Sequence, residues 1–409
     1  MRSMGDSTYG EAHPPRPLSV CLVSAAYHPY PSGVSEHVAH LAAALSRQGH
    51  RAEVLTTRHT GLPASPSAPE PEPVPVTRVG RAVRVPLNGS FATLPLGLGL
   101  PAQVKRHLAT GRFDIVHCHG LFPPEISYWA LRYSRSVNVV TFLSAGFGTT
   151  SRGASAFRRL FRRHLQRIDG RVAISRRALE TFAPYVPGDC RVIPCGVDIE
   201  RFNPHVDPLP PPAPRPSGGP APTVLFVGRL DRRKGLSTLI DAMPRVVAAV
   251  PGSRLVVVGD GPQRARTERR VADLGLGGSV AFEGHVGAAD LPRYYAGADV
   301  YCSPALGGEA LGIVLLEAMA SGTPVVASDI PGYDEAARRD IDALLRPPGD
   351  VAALADALVA VLRDDALRAR LAASGSARAA SYAWPVVAER TVDYYRELIA
   401  LRRHPASGA

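Results

Sequence analysis

From Leu18 onward, short and nearly continuous apolar runs alternate with longer stretches in which apolar residues recur every three or four positions. A short run bounded by turn residues reads as a buried strand, and the wider recurrence reads as a helix. "LSVCLVSA" is the first strand and Gly33–Arg47 the helix after it, with Gly49 leading into "RAEVLTT". "TRVGRAVRVP", "DIVHCH", "NVVTF", "RVAIS" and "RVIPCGVD" extend the series, with helices near 103–109, up to Tyr133 and through the basic stretch "SAFRRLFRRHLQRIDGR". The pattern breaks over 204–222, where proline and glycine dominate, and resumes in "TVLFVG", "RLVVVGDG", "SVAFEG", "DVYCSP" and "PVVAS", each followed by helical sequence. Strand-helix alternation of this kind predicts open, doubly wound parallel sheets.

The expected organisation follows. Residues 1–17 form a disordered leader without the apolar core of a signal peptide, and 18–203 form a first Rossmann-like α/β domain. A semi-rigid proline-rich linker occupies 204–222. A second Rossmann-like domain fills 223–383, and a helix and tail at 384–409 pack back across the hinge. The two domains face each other across a cleft.

The formal net charge of +11 draws something anionic: nucleic acid, an acidic lipid surface or a phosphorylated substrate. No nucleic-acid reading motif accompanies it. Five scattered cysteines with no C-x-x-C pair read as buried thiols in a reducing compartment, and the cytoplasm is the expected location. The "HCH" of His117–His119 puts two imidazoles on one strand face, and with no third ligand near in sequence it reads as packing or substrate contact. A G-x-G-x-x-G after the first strand and a P-loop are both missing from the sequence, which lowers nicotinamide enzymes and kinases.

Candidate chemistry lies in the second half. Arg229 stands just past a buried strand and Lys234 five residues later. In parallel sheets ligands bind beyond the carboxyl ends of strands, so both cations are expected at the cleft. The stretch "LGGEALGIVLLEAMASGTPVVASD" places Glu309 in a loop before a helix and Glu317 inside it. A helix start offers free N–H groups and positive potential to a phosphate. Cations, helix start and carboxylates together predict a diphosphate site with hydroxyl acceptors beside it.

The order of "PSGVSEHV", "DIVHCH", "VIPCGVDIERF", "VGRLDRRKG", "VVGDGP" and "EALGIVLLEAMASGTPVVAS" resembles the GT-B retaining glycosyltransferases of glycosyltransferase family 4, over nearly the whole chain after residue 17. "VPLNGS" and the long segment around Glu309 are most similar to the phosphatidylinositol mannosyltransferases within it. The resemblance implies that Arg229 and Lys234 hold the donor diphosphate, that Glu309 binds hydroxyls of the transferred sugar and that Glu317 binds the ribose. Gly33, Gly228, Gly259, Asp260, Val286, Leu311, Gly312 and Ile313 complete the donor side. Asn88, Ser90, His119 and Ser144 fall on the acceptor side. It implies transfer with retention and without a metal or other cofactor, the cations doing the metal's work.

The chain departs from that pattern at Leu143, where a histidine is usual, at Thr93 and Gly148, where the mannosyltransferases carry arginine and lysine, and at Ser32, where a second glycine is usual. His119 is the candidate to stand in for the missing histidine. The basic segment 155–168 puts Phe157, Leu160, Phe161, Leu165 and Ile168 on one face and arginines on the rest, which fits either an anionic membrane surface or core packing. The expected function is transfer of a hexose, mannose from GDP-mannose, to a lipid-linked or other hydroxyl acceptor, by a cytoplasmic protein peripheral to the membrane. The alternatives are a UDP-sugar enzyme with a small acceptor, an epimerase or phosphorylase on the same cleft, and a sugar-nucleotide binder without catalysis.

Overall fold

Each apolar run becomes a strand whose neighbours cover both faces, and the glycine or polar residue after it turns the chain toward a common edge. The computed structural model describes residues 16–30, 32–59, 74–87, 90–97, 99–121, 125–144, 151–209 and 221–403. The first sheet contains β1 (Ser19–Ser24), β2 (Arg51–His59), β3 (Val76–Leu87), β4 (Ser90–Leu96), β5 (Ile115–His119), β6 (Val137–Phe142), β7 (Gly170–Ala173) and β8 (Arg191–Val192). Their order is β4-β3-β2-β1-β5-β6-β7-β8. All pairs are parallel except β3 with β4, where Leu87 faces Ser90. That antiparallel edge departs from the all-parallel expectation. Asn88 lies outside the described residues, as do 1–15 of the leader and 210–220 of the linker.

The second sheet is parallel throughout. It contains β9 (Thr223–Val227), β10 (Arg254–Val258), β11 (Val280–Gly284), β12 (Val300–Ser303), β13 (Val325–Ser328) and β14 (Leu344–Arg346), ordered β11-β10-β9-β12-β13-β14. In both sheets the strand order reverses beside the first strand of the domain, β1 and β9. Such switch points open a crevice at the carboxyl ends of the strands. Gly33 follows one of them and Arg229 the other.

The final helix, Trp384–Arg403, returns to the first domain. Trp384, Val387, Val392 and Tyr395 join the core formed by Val20, Leu22, Leu41 and Ile115. The chain crosses the hinge twice, and the crossings are bonded side by side: Val197 N–H donates to the Tyr382 carbonyl at 2.8 Å, and Val197 bridges Ala383 in parallel. Trp384 fastens this junction at 6% exposure, stacked on His40 and edge-on to His37. A Cβ on Gly196 would meet the indole at 2.4 Å, so only glycine lets the hinge strand pass.

The basic helix, Ser151–Leu165, divides the apolar stripe that sequence reading assigned to a single face. Leu165 and Ile168 are buried, and Phe157 and Phe161 are half-buried against the first domain's core. Leu160, at 77% exposure, points outward among the exposed Arg159, Arg162 and Arg163. At 3.6 residues per turn it lies roughly 90° from the centre of the other four, beyond the reach of the core.

Removing the indole should loosen the hinge and the first domain together. Trp384→Ala is expected to cost about 3–5 kcal/mol, as for other buried large-to-small changes, read as a lower denaturant midpoint. An unchanged midpoint would mean that the last helix is not fastened through this side chain.

Candidate active site

The site is built on the loops after β9 and β12. After β9 the chain turns at Gly228, buries Leu230 and exposes Arg229. Asp231 then caps a short 3₁₀ turn, Arg232–Lys234, by accepting from Lys234 N–H at 3.2 Å. Gly235 ends the turn at φ +69°, and a Cβ there would strike the Pro304 carbonyl oxygen at 1.9 Å. This close passage lets the Arg233 carbonyl accept from Leu306 N–H at 2.8 Å and joins the two loops.

Across the join Lys234 Nζ lies 2.9 Å from Glu309 Oε1, both side chains largely covered. Arg233 pairs with the same carboxylate and donates to the Gly308 carbonyl at 3.2 Å. The structure therefore brings Lys234 and Glu309 together and adds Arg233, which sequence reading missed although "DRRKG" displays it. The Arg229 guanidinium has no ion-pair partner among the described residues.

The helix after this loop, Ile313–Ala320, begins at Gly312 with no side-chain cap. Gly312 is held at φ +79° because the backbone crosses the Tyr333 ring, which a Cβ would meet at 2.5 Å. Tyr333 in turn bonds Ser303 through its hydroxyl at 2.7 Å. Leu311 is buried and Ile313 exposed. One turn into the helix, Glu317 accepts from the Tyr295 hydroxyl at 2.9 Å. Burial raises the Glu317 carboxyl from its ordinary 4.5 to about 7 against the opposing pull of Tyr295, Arg201 and Lys234. Near neutrality this carboxyl both donates and accepts, which suits a hydroxyl ligand.

The remaining donor-side positions surround these loops. Gly259, at φ +127°, passes so near Gly228 that a Cβ would lie 2.0 Å from its carbonyl oxygen. Exposed Asp260 accepts from Gly261 N–H at 2.6 Å, and half-buried Val286 packs on the central apolar cluster. Gly33 opens its helix behind Ser32, which caps Ser35 N–H at 3.0 Å; a Cβ on Gly33 would meet nothing within 4 Å. Ser32 does useful capping where a second glycine would not.

On the acceptor side Ser144 is exposed and Ser90 begins β4. Leu143 is half-buried against an apolar cluster containing Ile174, Val197, Leu311 and Tyr333, so it joins the packing between domains. His119 is enclosed at 3% exposure, with ring centroids 4.3 Å from His117 and 5.2 Å from His37. His117 is engaged at both nitrogens, by Tyr395 and Thr141, each at 2.6 Å. Burial holds the His37 and His117 pKa values down at about 3, so both rings are neutral.

Two parallel α/β domains whose switch points face each other, with cations and an uncapped helix start on one side, define a GT-B glycosyltransferase. Residues 31–201 match the model of Glycosyltransferase Family 4, and residues 213–378 match that of Glycosyl transferases group 1. The chain is 39% identical over 368 residues to the phosphatidyl-myo-inositol mannosyltransferase of Mycobacterium leprae, covering 89% of this chain and 93% of that protein. It is 32% identical over 323 residues to the GDP-mannose-dependent alpha-(1-6)-phosphatidylinositol monomannoside mannosyltransferase of Mycobacterium tuberculosis, covering 75% and 74% of the two chains. A glycosyltransferase from Rickettsia africae superposes with a TM-score of 0.73 at 18% identity, over 94% of this chain and 99% of that one. Sucrose-phosphate synthase from Thermosynechococcus elongatus superposes at 0.69 and 26% identity over the same shares. The chain belongs to glycosyltransferase family 4 and is a glycosyltransferase.

The elevated Glu317 pKa makes a signed statement about stability. The folded state holds this proton more tightly than the unfolded chain, so the associated stability is present below about pH 4.5 and is lost as pH rises through about 7. Glu317→Gln should therefore flatten the decline in melting temperature between pH 5 and 8 and melt higher than the wild type at pH 8. Parallel melting curves across that range would remove the buried-carboxyl assignment.

Proposed function

We propose that the protein transfers mannose from GDP-mannose to a hydroxyl of a phosphatidylinositol-type acceptor, with retention of configuration and without a metal. The observation that carries this reading is the 39% identity, spread across both domains, to enzymes named as phosphatidyl-myo-inositol mannosyltransferases. The 32% identical relative supports the nucleotide, since its name specifies GDP-mannose.

In this reading Arg229 and Lys234 grip the diphosphate, and the N–H groups around Leu311 and Gly312 add hydrogen bonds to it. As the bond from the sugar's anomeric carbon to the phosphate oxygen breaks, GDP gains negative charge, which the two cations stabilise. The acceptor hydroxyl attacks the face that GDP leaves, and its proton passes to the departing phosphate oxygen. Glu309 holds Lys234 in place through their ion pair and offers its carboxylate to the sugar hydroxyls. Glu317 takes the ribose. Leu143 cannot hydrogen-bond the sugar, so in this chain orientation falls more heavily on Glu309 and its loop.

The basic helix supports a peripheral membrane role in this reading. Among the described residues no helix is long and apolar enough to cross a membrane. Leu160 with Arg159, Arg162 and Arg163 forms an exposed patch in which each cation near an anionic surface contributes about 1 kcal/mol. Arg158 is excluded from that patch, because it donates to the Pro184 carbonyl and to Ser155.

Arg229→Ala and Lys234→Ala are each expected to lower turnover by about a hundredfold or more with the fold intact. Product from the wild type should carry the donor's anomeric configuration and form in excess EDTA; an inverted product, or strict need for added Mg²⁺ or Mn²⁺, would sink the mechanism. Vesicles containing acidic lipid should bind the protein, and an Arg159, Arg162, Arg163→Gln triple variant should lose that binding. Added salt should weaken it as well, since exposed charges are screened over roughly 8–10 Å. Equal binding of wild type and variant would leave the helix as a structural element only.

A further inference from the structure

The hinge crossing at Val197 runs on into a tight turn that Asp198 organises. One Asp198 carboxylate oxygen accepts from the N–H groups of Glu200 and Arg201, each at 3.1 Å, and its carbonyl accepts from Phe202 N–H at 2.8 Å. The other carboxylate oxygen lies 4.0 Å from Nδ1 of His40, the ring that stacks on Trp384. The turn is thereby tied to the first domain.

The last two side chains of the turn reach the second domain. Arg201 donates through Nη2 to the Ala288 carbonyl at 2.7 Å, in the loop between β11 and the helix Leu291–Ala296. That loop also carries Val286, one of the donor-side positions. Phe202, at 3% exposure, meets the Tyr295 ring edge-on with centroids 5.7 Å apart, and the Tyr295 hydroxyl is the group that donates to Glu317. Two routes therefore lead from the hinge turn to the donor side, one through the loop after β11 and one through Tyr295.

The charges acting on Glu317 come from several elements. Burial favours its protonated form and Glu36 of the first helix adds to that effect, while Tyr295, Arg201 and Lys234 favour the carboxylate. Of the two cations Arg201 has the larger effect. Against its own burial, Glu36 is held below the usual carboxylate range by His40, His28 and Arg201.

We infer that Arg201 is a positioning residue for the nucleoside end of the donor: it fastens the loop after β11 to the hinge turn and lends positive charge to the surroundings of Glu317. The inference rests on the reading that Glu317 takes the ribose of a nucleotide donor, and it adds to that site a residue from the other domain. Because Arg201 stands in the hinge turn, the grip on the nucleoside depends on how the hinge is set. A nucleotide that uses this contact favours the arrangement in which it is made.

Nucleotide binding to the full-length protein separates this role from a structural one. GDP and inorganic pyrophosphate are titrated calorimetrically into the wild type and into Arg201→Gln, Arg201→Lys and Glu317→Gln variants. Arg201→Gln should bind GDP roughly tenfold more weakly, the loss expected for one hydrogen bond from a charged donor, with pyrophosphate affinity unchanged. Arg201→Lys should recover most of that loss. The second readout is the pH dependence of melting. In the wild type the stability linked to Glu317 is lost as pH rises through about 7. Without the cation the carboxyl holds its proton more tightly still, so in Arg201→Gln the loss should move to higher pH, and in Arg201→Lys it should return. Undiminished GDP binding by Arg201→Gln, an equal loss for GDP and pyrophosphate, or an unmoved pH dependence would overturn the inference. Undiminished GDP binding by Glu317→Gln would remove the ribose assignment on which it rests. Failure of mannose transfer alongside Arg201-dependent GDP binding would instead count against the proposed reaction and leave this role standing.

Discussion

The site depends on the closeness with which the loop after β9 runs beside the loop after β12. Gly235 makes that approach possible, because any side chain there would collide with the Pro304 carbonyl. Once the loops are joined, Lys234 and Arg233 converge on Glu309, and three charges that would repel or solvate separately become one arrangement. The pairing holds Lys234 still. A flexible four-carbon side chain loses much of its freedom on binding an anion, and here the protein has already imposed that loss during folding. The ordered cation comes with local backbone constraint, which Gly235 absorbs.

The same division between rigid strand ends and constrained loops explains the chemistry's distribution. Glu317 sits partly buried on a helix, and burial raises its proton affinity; Glu309 sits in a loop between cations and serves as their partner. The two carboxylates, eight residues apart in sequence, thus meet different partners, one a tyrosine hydroxyl and the other ammonium and guanidinium groups. Leu143 follows a related logic: it exchanges a polar contact for apolar packing at the domain boundary.

Much of the fold was legible in the sequence because buried parallel strands are short apolar runs with glycine or polar turns after them. "TVLFVG" and "DVYCSP" announced both the strands and the loops that hold Arg229 and Glu309. What could not be read were contacts between residues distant in sequence. Arg233 was visible as a charge, but its convergence with Lys234 on Glu309 requires the Gly235–Pro304 passage. Tyr295 lies 22 residues before its partner Glu317. Glu335 accepts from Arg176 N–H of the other domain, 159 residues away. Leu160 was misplaced for a different reason: the apolar stripe was drawn wider than the core beneath it. His119 was read from strand position alone, which cannot show that its ring packs beside those of His37 and His117.

That returning helix also changes how the chain must be understood as a synthesised object. Tyr395 and Leu398 complete a core begun by Val20 and Leu22, so the first domain encoded is the last to be finished. The second domain is an insertion in a fold whose two ends meet, and it carries all of its own strands between residues 223 and 346. During translation the second domain is complete before the final helix emerges, while the first waits with an apolar face uncovered. The late arrival of about twenty residues then closes the older half and sets Val197 beside Ala383.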